Sequence, residues 1–249
     1  MTSITFLGTA FAVPDKDHQN THFVLETGKH LLMVDCVGNP IVRLEQAGFD
    51  PLALTGLVLT HFHPDHVSGV PLLLLDLWLM GRKKPLPIYG LHDVILRFEK
   101  MMALYQWEDW KGFFPIELHR IPSTEKASLI QSNDLQVIGS PVLHMIPAMG
   151  LRMITKEGAI AYSTDTRPCD AVVRLADGAD ILIHEATGEG DGHSFPEEAG
   201  RIAQSAGARE LYLVHYPPNS DSNLIIQQAK STFDGKVVAA KDLMRVTLD

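Results

Sequence analysis

"GLVLTHFHPDHVSG", Gly56–Gly69, puts His61, His63, Asp65 and His66 within six residues, directly after an apolar run. His61 and His63 are two apart, so in an extended segment their side chains leave the backbone on the same side. Pro64 fixes the backbone into a turn, and the side chains of Asp65 and His66 then diverge from the first pair. A lone histidine at a strand end is ordinarily a polar cap. Three histidines and a carboxylate in HxHxDH order form a donor set for metal.

The pattern recurs along the chain. The apolar run "PVL" ends in His144, "AYST" in Asp165 and "LYLV" in His215, as "GLVLT" ends in His61. Neighbouring strand ends converge on one edge of a sheet, where α/β folds place their ligands. Seven ligands for two divalent ions follow: His61, His63 and His144 on one, Asp65, His66 and His215 on the other, with Asp165 bridging. Imidazole with carboxylate suits zinc, with manganese or iron as rivals. Ions paired about 3.5–4 Å apart in two-metal hydrolases hold a bridging hydroxide as nucleophile.

The rest of the chain indicates the frame. Short β-rich runs recur: "ITFL", "THFVLET", "HLLMVD", "LQVIGSPVLH", "LRMIT", "AIAYST", "DILIHE", "ELYLVH" and "KVVAA". Each is bounded by turn residues. Helical spacing appears in "NPIVRLEQAG", Val70–Met80, "HDVILRFEKMMALYQ", "SFPEEAGRIAQSAG" and "SNLIIQQAKSTF". Pro196 suits the first turn of the fourth of these, and Gly207 its stop. The expected fold is α/β: two sheets face to face with helices outside, a four-layer αββα sandwich in one domain spanning residues 1–249. Gly81–Ser128 holds the longest irregular pieces and reads as a surface flap, with "GRKKP" a solvated turn. "GVPLLLLDLWLM" is too short for a membrane span and carries Asp76, so it reads as a buried helix.

Composition excludes several classes. With 21 basic against 30 acidic residues, the formal charge of −9 argues against a protein that coats nucleic acid, and no DNA partner is expected. Cys36 and Cys169 are the only cysteines, which fits a reducing compartment. The N-terminus lacks a basic leader, so a soluble cytoplasmic protein is expected.

"THFHPDH" resembles the signature of the metallo-β-lactamase-fold hydrolases, whose fold is the same sandwich. Asp35, closing "LLMVD", matches the aspartate of that family's first motif, which stands behind the ligands. His144, Asp165 and His215 match its later ligand motifs in order. Within the family, "HEAT" at His184–Thr187 followed by "HS" at His193–Ser194 is similar to the ribonuclease Z branch of tRNA 3′-processing endonucleases and related phosphodiesterases. The opening "LGTAFAVPDKDHQNTHFVLE" is similar too, with Pro14, Asn20 and Thr21 in the matching places and Gln19 where an arginine is usual. The resemblance implies a dinuclear metal-dependent phosphodiesterase in which a metal-bridged hydroxide attacks phosphorus. The implied catalytic set is Asp65, His193 and Glu185. His193 stabilises the phosphoryl charge or protonates the leaving alkoxide, Glu185 is its partner, and Asp65 accepts a proton as well as binding metal. His184 is left open between a supporting and a packing role. His18, His22, His30, His92 and His119 read as surface or packing residues.

Two departures shape the expected substrate. The tRNA-processing enzymes carry a long arm between the motifs of His144 and Asp165, whereas "MIPAMGLRMITKEGAIAYST" suffices only for a hairpin. No basic tract replaces it. The expected substrate is therefore a small or cyclic phosphodiester or an RNA 3′ end. Thr164 stands where glycine commonly precedes the bridging aspartate, and reads as tolerable at a strand end. Relatives in this branch are commonly homodimers, which makes a homodimer a candidate assembly. The alternatives are an arylsulfatase- or lactonase-type metallo-hydrolase and a non-catalytic metal-stabilised module.

Overall fold

A computed structural model describes residues 1–248. The first half runs β1 (Thr2–Gly8), β2 (His22–Glu26), β3 (Leu31–Val34), α1 (Pro40–Gln46), β4 (Gly56–Val58), α2 (Pro64–Val67), α3 (Val70–Leu79), β5 (Leu86–Leu91), α4 (His92–Leu104) and β6 (Ile116–Ile121). The second runs β7 (Ala127–Gln131), β8 (Gln136–Val142), β9 (Ala148–Ile154), β10 (Ala159–Tyr162), α5 (Asp170–Leu175), β11 (Ile181–Glu185), α6 (Pro196–Ala206), β12 (Glu210–Val214), α7 (Ser222–Lys230), β13 (Lys236–Ala239) and β14 (Arg245–Leu248).

These strands form two seven-stranded sheets, ordered β14-β1-β2-β3-β4-β5-β6 and β13-β12-β11-β10-β9-β8-β7. Each half opens antiparallel and ends parallel: β3 to β6 in one sheet, β10 to β13 in the other. The parallel strands read as unbroken apolar runs because both of their faces are covered. Every residue of β10 and β11 is buried. The sheets meet through aromatic side chains: Phe6 stacks on Tyr212 with centroids 6.0 Å apart, and Phe23 meets Tyr162 edge-on at 5.1 Å. Helices α5 to α7 cover the second sheet with small residues such as Ala199, Ala203 and Ala229. At Gly200 a Cβ would lie 2.3 Å from the Ala229 carbonyl oxygen, so α6 and α7 approach as closely as their backbones allow. The αββα expectation holds. The segment between His144 and Asp165 is the β9–β10 hairpin.

Three expectations are corrected. Gly81–Ser128 is no flap: β5 and β6 extend the first sheet in parallel register, with α4 packed against both. Pro85, Pro87 and Gly90 break the apolar pattern that would have revealed β5. Helix α3 is buried on one side only. Val70, Leu73, Leu74 and Leu77 face the core, while Leu79 is 69% exposed. Arg82, in the supposed solvated turn, is 4% exposed and donates to the carbonyls of Leu52, Leu54, Lys84 and Pro85. Among the described residues, no helix is long and apolar enough to cross a membrane.

Candidate metal centre

The parallel strands β3, β4, β10, β11 and β12, with the end of β8, deliver their C-terminal residues to one edge. Just beyond them lie Asp35, His61, Asp165 and His215, with Glu185 closing β11 and His144 two residues past β8. Helix α2 begins at Pro64 with His63 as its N-cap, and its first turn carries Asp65 and His66. The edge is conformationally tight. Asp35, Thr164 and His215 have φ of 58°, 51° and 54°. Left-handed backbone is costly for a side chain with a Cβ, at about 1–2 kcal/mol, and such strain gathers at functional sites. Thr164 is β-branched and lies past the end of β10 rather than in a strand conformation. This explains why glycine suits the position and corrects the strand-end reading.

Asp165 is the point of convergence. Its Oδ2 lies 3.3 Å from His215 Nε2, 3.4 Å from His66 Nε2, 3.8 Å from His61 Nε2 and 4.0 Å from His144 Nε2. The structure brings together two donor groups that share it. One is His61, His63, His144 and Asp165; the other is Asp65, His66, Asp165 and His215. Within each, the donor atoms lie within 4.8 Å of one another. His144 Nε2 and His63 Nδ1 are 3.1 Å apart, and His215 Nε2 is 3.4 Å from Asp65 Oδ2.

The electrostatics fit cations. His61 Nε2, His66 Nε2 and Asp165 Oδ1 are buried without a hydrogen-bond partner, an arrangement that costs stability unless an ion satisfies them. Burial and the neighbouring rings push His61, His63 and His144 below the ordinary histidine range, so their nitrogens keep lone pairs. Burial opposes ionisation of Asp165, but His215, His66 and His61 outweigh it and hold the carboxyl well below its usual range. Burial likewise opposes a charged His66, yet Asp165 and Asp35 together lift it well above the ordinary value. The nitrogen and oxygen donors suit zinc, manganese or iron.

Carboxylates behind the donors set their orientation. Asp35 Oδ2 accepts from His66 Nδ1 at 2.8 Å and from the Thr60 hydroxyl at 2.8 Å, while Oδ1 accepts from the Thr60 backbone N–H. Thr60 Oγ1 in turn lies 3.1 Å from His61 Nδ1. His144 Nδ1 donates to the Gly192 carbonyl at 2.9 Å, which aims its Nε2 at Asp165.

His193 adjoins this cluster. Its ring stacks on His215 at 5.6 Å between centroids and meets His144 at 5.1 Å. Its Nδ1 lies 3.1 Å from Glu185 Oε1, so Nε2 is the nitrogen turned away from that carboxylate. Burial disfavours the charged ring, but Glu185 outweighs it and raises the His193 pKa above the ordinary value. Phe195 is the N-cap of α6, and the buried Ser194 hydroxyl donates to the Thr166 carbonyl. His184 alternates away from Glu185 on β11. Its Nδ1 donates to the Glu185 carbonyl at 2.7 Å, its Nε2 is buried without a hydrogen-bond partner, and it belongs to neither donor group, so it lies on the helix side of the sheet, apart from the cluster. Asn20 donates to the Phe11 carbonyl and, with Ala12, Pro64, Asp65 and Ser68, lines a groove of about 380 Å³ at the mouth. Thr60, Thr166 and Thr187, which hold the carboxylates, were missed from sequence. Thr187 stood inside the quoted "HEAT" without a role.

Residues 31–216, which contain all seven donors, match the family model of the beta-lactamase superfamily domain. The ribonuclease Z of Methanothermobacter thermautotrophicus is 28% identical, with 99% of this chain and 96% of that protein aligned. That alignment runs over 309 positions, so the archaeal protein carries segments that this chain of 249 residues lacks. The short form of human tRNase Z superposes with a TM-score of 0.82 at 25% identity, over 99% of each chain. The metallo-beta-lactamase fold protein YhfI from Bacillus subtilis superposes with a TM-score of 0.83 at 25% identity, over 98% of each chain. With its sandwich, its edge of histidines and aspartates and these relatives, the chain belongs to the beta-lactamase superfamily, among the ribonuclease Z-like metal-dependent hydrolases.

Proposed function

We propose that this protein is a dinuclear metal-dependent phosphodiesterase whose substrate is a small or cyclic phosphodiester or an RNA 3′ end. The observation that carries the reading is the Glu185–His193 pair, 3.1 Å apart, set against two donor groups that share Asp165. His61, His63 and His144 would hold one divalent ion and Asp65, His66 and His215 the other, with Asp165 between them. Such ions generate a nucleophile from water at neutral pH and offset charge on the phosphoryl oxygens.

The protein's own groups do the rest. Asp65, partly exposed and lining the groove, takes a proton from the attacking water in this reading. His193, whose charged form Glu185 favours, gives a proton from Nε2 to the departing alkoxide. Glu185 orients the ring and touches no substrate atom. The mouth favours a small substrate over a folded polyanion. Leu143 and Met145, on either side of His144, are exposed, as is Phe195, two residues after His193. Arg167, two residues past Asp165, is paired with Asp191 at 2.8 Å. The similarity to an archaeal ribonuclease Z supports RNA as the other substrate class.

The test is hydrolysis of bis(p-nitrophenyl) phosphate by the zinc- or manganese-loaded protein, with a trailer-bearing pre-tRNA in parallel. Turnover of the diester should fall by about 10²–10⁴-fold in His193→Ala, with zinc binding retained, and should be lost in Asp65→Ala. A fully loaded protein that leaves every phosphodiester intact overturns the reading and points to sulfate esters or lactones.

A further inference from the structure

Glu185 serves more than His193. Its Oε1 accepts from the Thr166 and Ser194 backbone N–H groups, at 3.1 and 3.0 Å, as well as from His193 Nδ1. Its Oε2 accepts from the Thr187 backbone N–H at 2.9 Å and from the Thr187 hydroxyl at 2.7 Å. The same hydroxyl lies 2.8 Å from His215 Nδ1 and 3.2 Å from His193 Nδ1. Glu185, His193 and His215 thus converge closely enough to resemble a third metal-binding group. The hydroxyl of Thr187 is what lies among them.

The proton positions follow from donor chemistry. A carboxylate oxygen only accepts, and hydrogen bonds to a charged acceptor are the strong ones. The single Thr187 hydrogen therefore goes to Glu185 Oε2, with the His215 carbonyl at 2.9 Å as its weaker alternative. His215 Nε2 faces Asp165 and Asp65, so it is the nitrogen that would meet an ion. Nδ1 then carries the ring hydrogen and donates it to Thr187 Oγ1. The relay reads His215 Nδ1–H to Thr187 Oγ1–H to Glu185 Oε2.

The first sheet contains the same device. Asp35 holds His66 directly and reaches His61 Nδ1 through the Thr60 hydroxyl. Each sheet thus ends a parallel strand in a buried carboxylate that grips one histidine directly and a second through a threonine hydroxyl. In the first sheet both histidines are metal donors. In the second, one is a metal donor and the other is the histidine assigned to the leaving group.

We propose that Thr187 is a positioning residue that makes Glu185 a support of the His215 metal position as well as of His193, coupling ion binding and leaving-group chemistry through one carboxylate. This rests on the two-ion reading above. Removing the hydroxyl leaves His215 Nδ1–H without its acceptor and frees the ring to rotate, while the Thr187 backbone bond to Glu185 remains. Glu185→Gln should reproduce the loss at the ion, although Glu185 is not among the seven proposed ligands.

The experiment is equilibrium zinc titration of the intact, metal-stripped chain against a chromogenic chelator, without substrate. Thr187→Val, Thr187→Ser and Glu185→Gln are compared with wild type. Thr187→Val should weaken the second zinc by about 10–100-fold, the range for lost support behind a ligand. Thr187→Ser, which restores the hydroxyl, should stay within about threefold of wild type on the same scale. Glu185→Gln should weaken the same zinc, and the double variant Thr187→Val/Glu185→Gln should be no worse than the poorer single one. Wild-type zinc affinity in Thr187→Val overturns the coupling, as does a Thr187→Ser as weak as Thr187→Val. If Thr187→Val does not fold, Glu185→Gln decides, and unchanged zinc affinity there overturns the coupling. A wild type that binds fewer than two zinc ions overturns the reading beneath it instead.

Discussion

Asp35 lies 2.8 Å from His66 Nδ1 and receives both the hydroxyl and the backbone N–H of Thr60, so one buried carboxylate faces donors on every side. Asp35→Asn keeps the shape, and asparagine tolerates the left-handed backbone at this position. Its amide NH₂ would point at a group that can only donate. We expect zinc affinity to fall by about 10–100-fold with the fold intact. Zinc titration beside circular dichroism checks this. Unchanged affinity would mean that the His66 ring is held by packing alone.

The buried Arg82 yields a stability prediction. Its guanidinium donates to four backbone carbonyls and lies over the Phe114 ring at 5.4 Å. An unsatisfied buried acceptor costs about 1–3 kcal/mol. Arg82→Ala should lower unfolding stability by about 3 kcal/mol in urea, and Arg82→Lys should recover little because an ammonium cannot reproduce the fork. A loss under about 1 kcal/mol would show that water replaces the side chain.

What was legible in the sequence follows from local physics. The strands feeding the site, β3, β4, β8, β10, β11 and β12, were legible because each is an apolar run ending abruptly in His, Asp or Glu. The termination carries fold and function together. β5 was hidden by Pro85 just before it and by Pro87 and Gly90 within it, and α5 by its six-residue length. α3 is apolar nearly all round, so its sequence cannot show that Leu79 faces outward. Arg82 was misread because an arginine beside two lysines is usually solvated, and only the chain around Leu52–Leu54 makes it a buried hub. Thr60 and Thr187 were invisible for a different reason. Threonine is ordinary at strand ends, and its role depends on a carboxylate and a ring that tertiary structure brings to it.

His22 gives the pH prediction. It is fully buried at the start of β2, its Nδ1 donates to the Asn20 carbonyl, and its Nε2 has no partner. Burial lowers its pKa from 6.5 to about 4. Above pH 6.5 neither state protonates, and His22 has no effect. As pH falls from 6.5 towards 4 the unfolded chain takes up a proton that the folded chain refuses, so stability is lost. The loss approaches about 3 kcal/mol below pH 4. In the metal-free protein, stability measured across this window should shift by about that amount in favour of His22→Gln relative to wild type. Parallel curves for the two proteins would show that His22 becomes protonated without unfolding.

The substrate prediction follows from charge. Phosphate affinity at a distance comes from Lys and Arg, and it falls with salt according to the number of phosphates neutralised. In the loops flanking the site, Arg167 pairs with Asp191 at 2.8 Å and Lys16 with Asp17 at 2.6 Å, so each cation is already balanced by a neighbour. The hairpin between His144 and Asp165 adds only Arg152 and Lys156. Arg152 donates to the Leu175 and Asp177 carbonyls. Binding of a single-stranded RNA oligonucleotide, followed by fluorescence anisotropy between 50 and 200 mM salt, should give a log–log slope shallower than about −2, equivalent to roughly three phosphates or fewer. The kcat/KM for bis(p-nitrophenyl) phosphate should change less than about twofold over the same range, because a monoanion makes few screened contacts. A slope near −5 would mean that a cationic surface away from this edge grips the RNA, and the preference for a small diester would fall with it.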